Sequence, residues 1–244
     1  NDSYIAYYRP IYEQLKQVNL TGKQLAEWKF RRYMIDYLNT AQSMDRNIGK
    51  VLDYLDQKSL SENTIVIYLS DQGFYMGEHG WFDKRWMYEE SFRTPMVMRY
   101  PALLHPNSTI NAKIVNADIA PTLLELAAIQ KPKDMQGESF VHVLKNNSEE
   151  HRKDLFYHYF ENGEHAVSPH FGVRDDRYKL IRYYKRIENW ELFDLQKDPN
   201  ELHNIYKDPT YRSVVKRMKK KLLTQMRQFD DKEAEARYKI NIDQ

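Results

Sequence analysis

The sequence predicts an α/β fold that continues into a small antiparallel sheet closed by a helix. Three patterns predict it: a long helical periodicity before residue 58, an unalternating β-branched run at 63–70, and short strand-like segments after 145. Over residues 23–57, apolar side chains including Trp28, Met34, Leu38, Met44, Val51 and Leu55 recur at three- and four-residue steps. That spacing predicts one amphipathic helix ending near Lys58. The run "NTIVIYLS" has strand length and no polar alternation, the pattern of a strand buried on both faces of a largely parallel sheet. A helix feeding such a strand is the grammar of an α/β domain.

A second apolar run, "TPMVMRY" at 94–100, follows, and "ADIAPTLLELAAI" reads as an Asp-capped helix with Pro121 in its first turn. The polar tract "KNNSEEHRKD" at 145–154 is the expected boundary between residues 1–145 and 146–244. Beyond it, "LFYHYFE", "HFGVRDDRYKLIRYY" and "NWELFDL" are short runs broken by turns, which predicts a small antiparallel sheet. Finally "RSVVKRMKKKLLTQMRQF" sets Val215, Met218, Leu222, Met226 and Phe229 on one helical face with Lys and Arg opposite.

Composition narrows the function classes. There are 37 Lys and Arg against 35 Asp and Glu, a net of +2, too balanced for nucleic-acid binding through bulk charge, so any anion site must be local. The absence of cysteine excludes disulfides, thiolate metal sites and a cysteine nucleophile within these residues. No apolar run reaches the roughly 20 residues that span a bilayer. The start, "NDSYIAYYRPIYEQL", has no initiator Met, no basic segment and no apolar signal core, and reads as the middle of a longer protein. Nineteen tyrosines suit a Tyr-rich core, or ring faces that pack on sugar C–H surfaces.

The chemistry concentrates in "YLSDQGFYMGEHGWFDKRWMYEES", residues 68–91. Asp71 and Gln72 follow the strand directly, and open α/β sheets bind ligands beyond the carboxyl ends of their strands. A carboxylate beside an amide oxygen is a pair of hard donors suited to Ca²⁺ or Mg²⁺; the same residues would also serve an Asx-type turn. Lys84, beside such a cation, suits a tetrahedral oxyanion, because metal and ammonium can take different oxygens of one sulfate or phosphate. Glu89, Glu90 and Arg93 have the spacing of ion pairs on one helical turn. His79 has the chemistry of a proton donor, a substrate contact or a supporting group. Asp83 and Arg85 flank Lys84 as either a rim ion pair or a pair of contacts to vicinal sugar hydroxyls.

In the order strand, "SDQG", "GEHG", Lys84, "YEESFRTP" and second strand, the chain resembles the formylglycine-dependent sulfatase family of the alkaline phosphatase superfamily. The likeness is close from about 61 to 127, including "ADIAPTLLEL", and resumes in "GVRDDRYKLI" and "NWELFDLQKDPNELHNI". It implies the C-terminal part of a sulfatase-type mixed sheet domain. Asp71 and Gln72 would be ligands of Ca²⁺ (Mg²⁺ being possible chemistry too), Lys84 a sulfate contact, and Glu89 and Arg93 structural. Gln72 stands where the family more often has Asn or His. The family's nucleophile comes from a "C/S-x-P-x-R" motif, with two further aspartates nearby, and none of the prolines here sits in that pattern. The resemblance therefore implies part of an enzyme, inactive alone and completed by an absent N-terminal portion. That portion would also supply a proton-donating histidine, with Lys84 and His79 as local candidates. In this family the strand after His170 lies against the active-site mouth, so His170 and Arg174 are each either substrate contacts or structural. The wording of 70–91 looks most like bacterial carbohydrate sulfatases acting on glycosaminoglycan or mucin sugars, including N-acetylglucosamine-6-sulfatases, which implies a periplasmic or extracellular location. A phosphodiesterase or phosphonate monoester hydrolase of the same superfamily, or a non-catalytic sugar-binding module, is the competing expectation.

Overall fold

The computed structural model describes residues 2–240. The chain divides into two compact units at Ser61/Glu62. In the first, α1 (Asp2–Gln17) and α2 (Gly22–Gln57) are tied by one polar cluster, in which the Tyr7 hydroxyl and Arg32 both donate to the Asp36 carboxylate at 2.6 and 3.0 Å. The long helix ends where its periodicity ends. None of its residues is buried, and Leu38, Met44 and Val51 of the predicted apolar face are exposed.

The second unit opens with β1 (Val66–Leu69), followed by α3 (Glu89–Phe92) and β2 (Met96–Arg99). Here the structure corrects the sequence reading. Strands β1 and β2 pair antiparallel, with Val66 opposite Arg99 and Leu69 opposite Met96, and Tyr68 and Leu69 are exposed. Loop and α3 together turn the chain back on itself, so the apolar run finds a reversed neighbour instead of a parallel one. Strand β2 does alternate. Met96 and Met98 pack on a cluster of Phe140, Val143 and Leu144, while Val97 points outward.

Next come α4 (Ile119–Leu126) and α5 (Val141–Asn146), joined by a buried polar hub. Asp118 does not cap α4 with its side chain, as the sequence suggested. Its carboxylate is fully buried and receives the Arg152 guanidinium, His151 Nε2 at 3.2 Å and the backbone N–H of Glu138 and Val115. Burial alone would raise this carboxyl; Arg152 and the two amides hold it below the usual range. The hub grips His151 and Arg152 of the tract at 145–154, and the compact division of the chain falls at 61/62.

The predicted antiparallel sheet is present in full: β3 (Leu155–Tyr159), β4 (His170–Arg174), β5 (Tyr178–Tyr183) and β6 (Asn189–Asp194), in sequential order. It is covered on both faces. One side carries Phe171, Val173, Leu180 and Leu192 against Met218, Leu222 and Met226 of α6 (Arg212–Gln228) and Ala234 of α7 (Lys232–Tyr238). The other carries Ile181, Tyr183 and Phe193 against Met87 and its neighbours Trp86, Tyr88 and Phe92. The segment that follows Lys84 is thereby packed on the sheet. Gly172 admits that contact, since a Cβ there would lie 2.5 Å from Met87 Sδ.

Candidate active site

The loop from Asp71 to Phe92 holds its shape through its own backbone. Ser70 Oγ donates to the Gln72 carbonyl at 2.7 Å, and the Gly73 N–H donates to the Ser91 carbonyl at 2.7 Å. A Cβ at residue 73 would sit 1.9 Å from the Glu90 carbonyl oxygen, so only glycine permits this approach. The Tyr75 N–H donates to the Asp83 carbonyl, and that of Gly77 to the Trp81 carbonyl, closing the excursion around the turn Glu78–Gly80. Tyr75 is wholly buried, with its hydroxyl on the Trp86 carbonyl at 3.0 Å.

Several predicted residues lie on this braced loop. The Asp71 side chain is exposed and its carbonyl accepts from Asn116 Nδ2; Gln72 beside it is half-buried. Lys84 is exposed, and its ammonium has no ion-pair partner among the described residues. Asp83 accepts the Lys84 N–H at 2.7 Å and pairs with the Arg85 guanidinium, which is also 3.9 Å from Glu161. The structure shows the ion pair of Asp83 and Arg85.

Other predicted residues have local partners. His79 takes a left-handed backbone conformation (φ 53°), stacks on Tyr88 at 4.6 Å and points Nε2 at Glu90, 3.4 Å away. Its imidazole is thus engaged by an aromatic face and a carboxylate. Glu89 does not pair with Arg93 as its spacing suggested. It meets Lys179 at 2.7 Å and Arg174 at 3.3 Å, across the sheet instead of along the helix. Arg174 is committed there and to the Asp175 carbonyl at 3.0 Å. Lys179, fully buried, also lies 2.8 Å from the buried Glu201, and Glu201 accepts the Glu89 N–H at 2.6 Å. Burial raises both carboxyls, but the Lys179 and Arg174 charges win at Glu89, whereas burial wins at Glu201.

His170 is fully buried in an aromatic cage, stacked on Trp86 and Tyr159 and tilted against Tyr157 and Tyr183. Desolvation pushes its pKa down to about 4, so it is neutral at physiological pH. With Nδ1 facing the Ser168 carbonyl at 2.8 Å, that nitrogen carries the proton and Nε2 is the acceptor. Nε2 and the neighbouring Trp86 indole N–H are both buried without a partner among the described residues. The Tyr157 hydroxyl, pushed up to about 12 by burial, donates to the Arg85 carbonyl and links the cage to the loop. Sequence reading had missed Ser91, Tyr75, Trp86 and the Lys179–Glu201 pair. Gly73 is the one signal for the Ser91 contact, because a glycine can mark a close backbone neighbour; the others leave none.

A metal fits this surface only in part. Asp71 and Gln72 offer two hard oxygens where Ca²⁺ takes 6–8. Among the described residues, no group of three or more His, Cys, Asp or Glu gathers to hold an ion.

Comparisons with known proteins give the family. The family model for sulfatases matches residues 1–129, and that for the C-terminal part of N-sulphoglucosamine sulphohydrolase matches residues 77–228. An N-acetylglucosamine-6-O-sulfatase of Bacteroides thetaiotaomicron is 41% identical over 234 residues, covering 94% of this chain and 42% of that protein. A protein solved in complex with its substrate D-glucosamine-2-N,6-O-disulfate superposes with a TM-score of 0.88 at 41% identity, over 95% of this chain and 48% of that one. A phosphonate monoester hydrolase of Agrobacterium radiobacter gives a TM-score of 0.66 at 25% identity, covering 75% of this chain and 39% of that one. The chain thus spans about half the length of the relatives it matches. With two family models each covering more than half of it, and the strand, loop and sheet arranged as the resemblance implied, the chain belongs to the sulfatase family.

Proposed function

We propose that this chain supplies the Lys84 side of a carbohydrate sulfatase site, for a sulfate ester on a sugar of the glucosamine 6-sulfate type. The observation that carries it is the exposed Lys84 ammonium on the same braced loop as Asp71 and Gln72. The 41% identical relative, an N-acetylglucosamine-6-O-sulfatase, supports the sugar class. Asp71 and Gln72 would hold Ca²⁺, or Mg²⁺, through carboxylate and amide oxygens, and such an ion when bound supplies positive charge to a sulfate oxygen. Formylglycine, whose precursor motif is not in this chain, supplies the nucleophile in this family.

The chain's own residues then bind and orient. Lys84 stabilises charge on the sulfate oxygens as the ester bond breaks. Its place on the loop also suits proton delivery to the leaving alcohol, with His79 a weaker donor because Glu90 and Tyr88 already engage it. Asp83 and Arg85 meet the sugar hydroxyls, whereas the caged His170 acts through the aromatic packing beneath the loop. Arg174 supports the loop through Glu89. The partners are a sulfated glycosaminoglycan or mucin sugar and the remainder of the sulfatase, in a periplasmic or extracellular setting, and this chain alone turns over no sulfate ester.

The test is the full-length protein carrying this chain, assayed on N-acetylglucosamine 6-sulfate and on aryl sulfate and phosphate esters. Sulfate esters should be preferred, and Lys84→Ala should lower kcat/KM about 10²- to 10³-fold. A phosphate or phosphonate preference of orders of magnitude would overturn this reading in favour of a phosphonate monoester hydrolase, which the fold also accommodates.

A further inference from the structure

The two arms of the site, Asp71–Gln72 and Lys84, are 13 residues apart in sequence, on either side of the turn at Glu78–Gly80. One side chain joins them. Ser91, 6% exposed in α3, donates its hydroxyl to the Lys84 carbonyl, while its own carbonyl accepts the Gly73 N–H at 2.7 Å. The second contact is enforced sterically, because Gly73 sits so close to the Glu90 carbonyl that any side chain would push the arm away. The pivot is itself fixed. Glu89, two residues before Ser91, gives its N–H to Glu201 and its carboxylate to Lys179, which anchors α3 on the sheet.

We infer that Ser91 is a positioning residue that sets the distance between the Asp71–Gln72 arm and Lys84. This rests on the proposed roles of those arms. A hydroxyl is needed, since alanine leaves the Lys84 carbonyl without its buried donor and lets that backbone shift, and displacement by an ångström is costly in an oriented site.

The experiment is a double-mutant cycle in the full-length protein, with kcat and KM measured on an aryl sulfate and thermal melting followed in parallel. Ser91→Ala should lower kcat about tenfold with KM within about twofold, Ser91→Thr should restore it, and Ser91→Ala should cost less than about twofold more once Lys84→Ala is present. Should Ser91→Ala fail to fold, Ser91→Cys, similar in size but a weak donor, carries the same cycle. Equal losses in both Lys84 backgrounds, or no rescue by threonine, would overturn the inference, since the effect would not run through Lys84. Full activity of the Ser91 variants beside a crippled Lys84→Ala would overturn Ser91 alone, whereas full activity of Lys84→Ala would overturn the functional reading beneath it.

Discussion

Within a chain that spans about half the length of its relatives, the two sheets of the second unit invert the usual expectation about strands. Strand β1, "VIYL", is entirely apolar or aromatic, yet Tyr68 and Leu69 are exposed, as is Val97 of its partner β2. Strand β5, "YKLIRY", carries a lysine and an arginine, yet every residue of it is buried. Hydropathy did not decide burial; neighbours did. Lys179 is buried because Glu89 and Glu201 reach it within 2.8 Å, and Arg182 because Glu188 and the Trp190 ring receive its guanidinium. Buried charge is tolerable only with partners of that kind. Among the described residues, the β1–β2 pair has a covering cluster on the Met96 and Met98 side alone.

That contrast can be broken most forcefully at Lys179. Lys179→Ala leaves Glu201 buried and uncompensated and should destabilise the fold by about 3–5 kcal/mol in chemical denaturation, as expected when one partner of a buried pair is removed. Survival of Lys179→Ala with unchanged stability would show that the pair contributes nothing to the sheet. Next in size, Leu192→Ala in the core against α6 should cost about 2–5 kcal/mol.

Acid should reveal His170. Its folded pKa, about 4, lies below the ordinary 6.5, so the unfolded chain binds the extra proton first. Stability should therefore be full above about pH 6.5 and fall as pH drops towards 4, and His170→Asn, which keeps a donor for the Ser168 carbonyl, should flatten that slope in pH-dependent melting. Below that window the Asp118 hub, its carboxyl lowered, should give way as it protonates. The smallest effect belongs to the exposed sheet face. Val97→Thr should change stability within about 0.5 kcal/mol, measured the same way.

Legibility followed the same division. The long helix, all four strands of the antiparallel sheet and the apolar stripe of α6 were readable, because each depends on local periodicity. The antiparallel pairing of β1 was not, since a strand's direction depends on where the chain returns, and an apolar run carries no sign of that. At the candidate site, residue type and order single out Asp71, Gln72 and Lys84, and the exposure of Asp71 and Lys84 is what the fold adds. The partner of Glu89 was not, because an i, i+4 spacing offers Arg93 while the fold supplies Lys179 from 90 positions away. Ser91 was invisible for the same reason, as its role lies in what its carbonyl and hydroxyl meet.

Gly73 has a practical consequence for anyone redesigning this loop. Position 72 contributes a side chain and position 73 contributes only the absence of one, so side-chain chemistry and loop geometry are encoded by adjacent but independent letters. On the proposed role of Gln72 as a metal ligand, a library that varies residue 72 among Asn, His, Asp and Gln should retune which ion is accepted without retooling the scaffold. A library that varies 73 should return almost no folded loops at all.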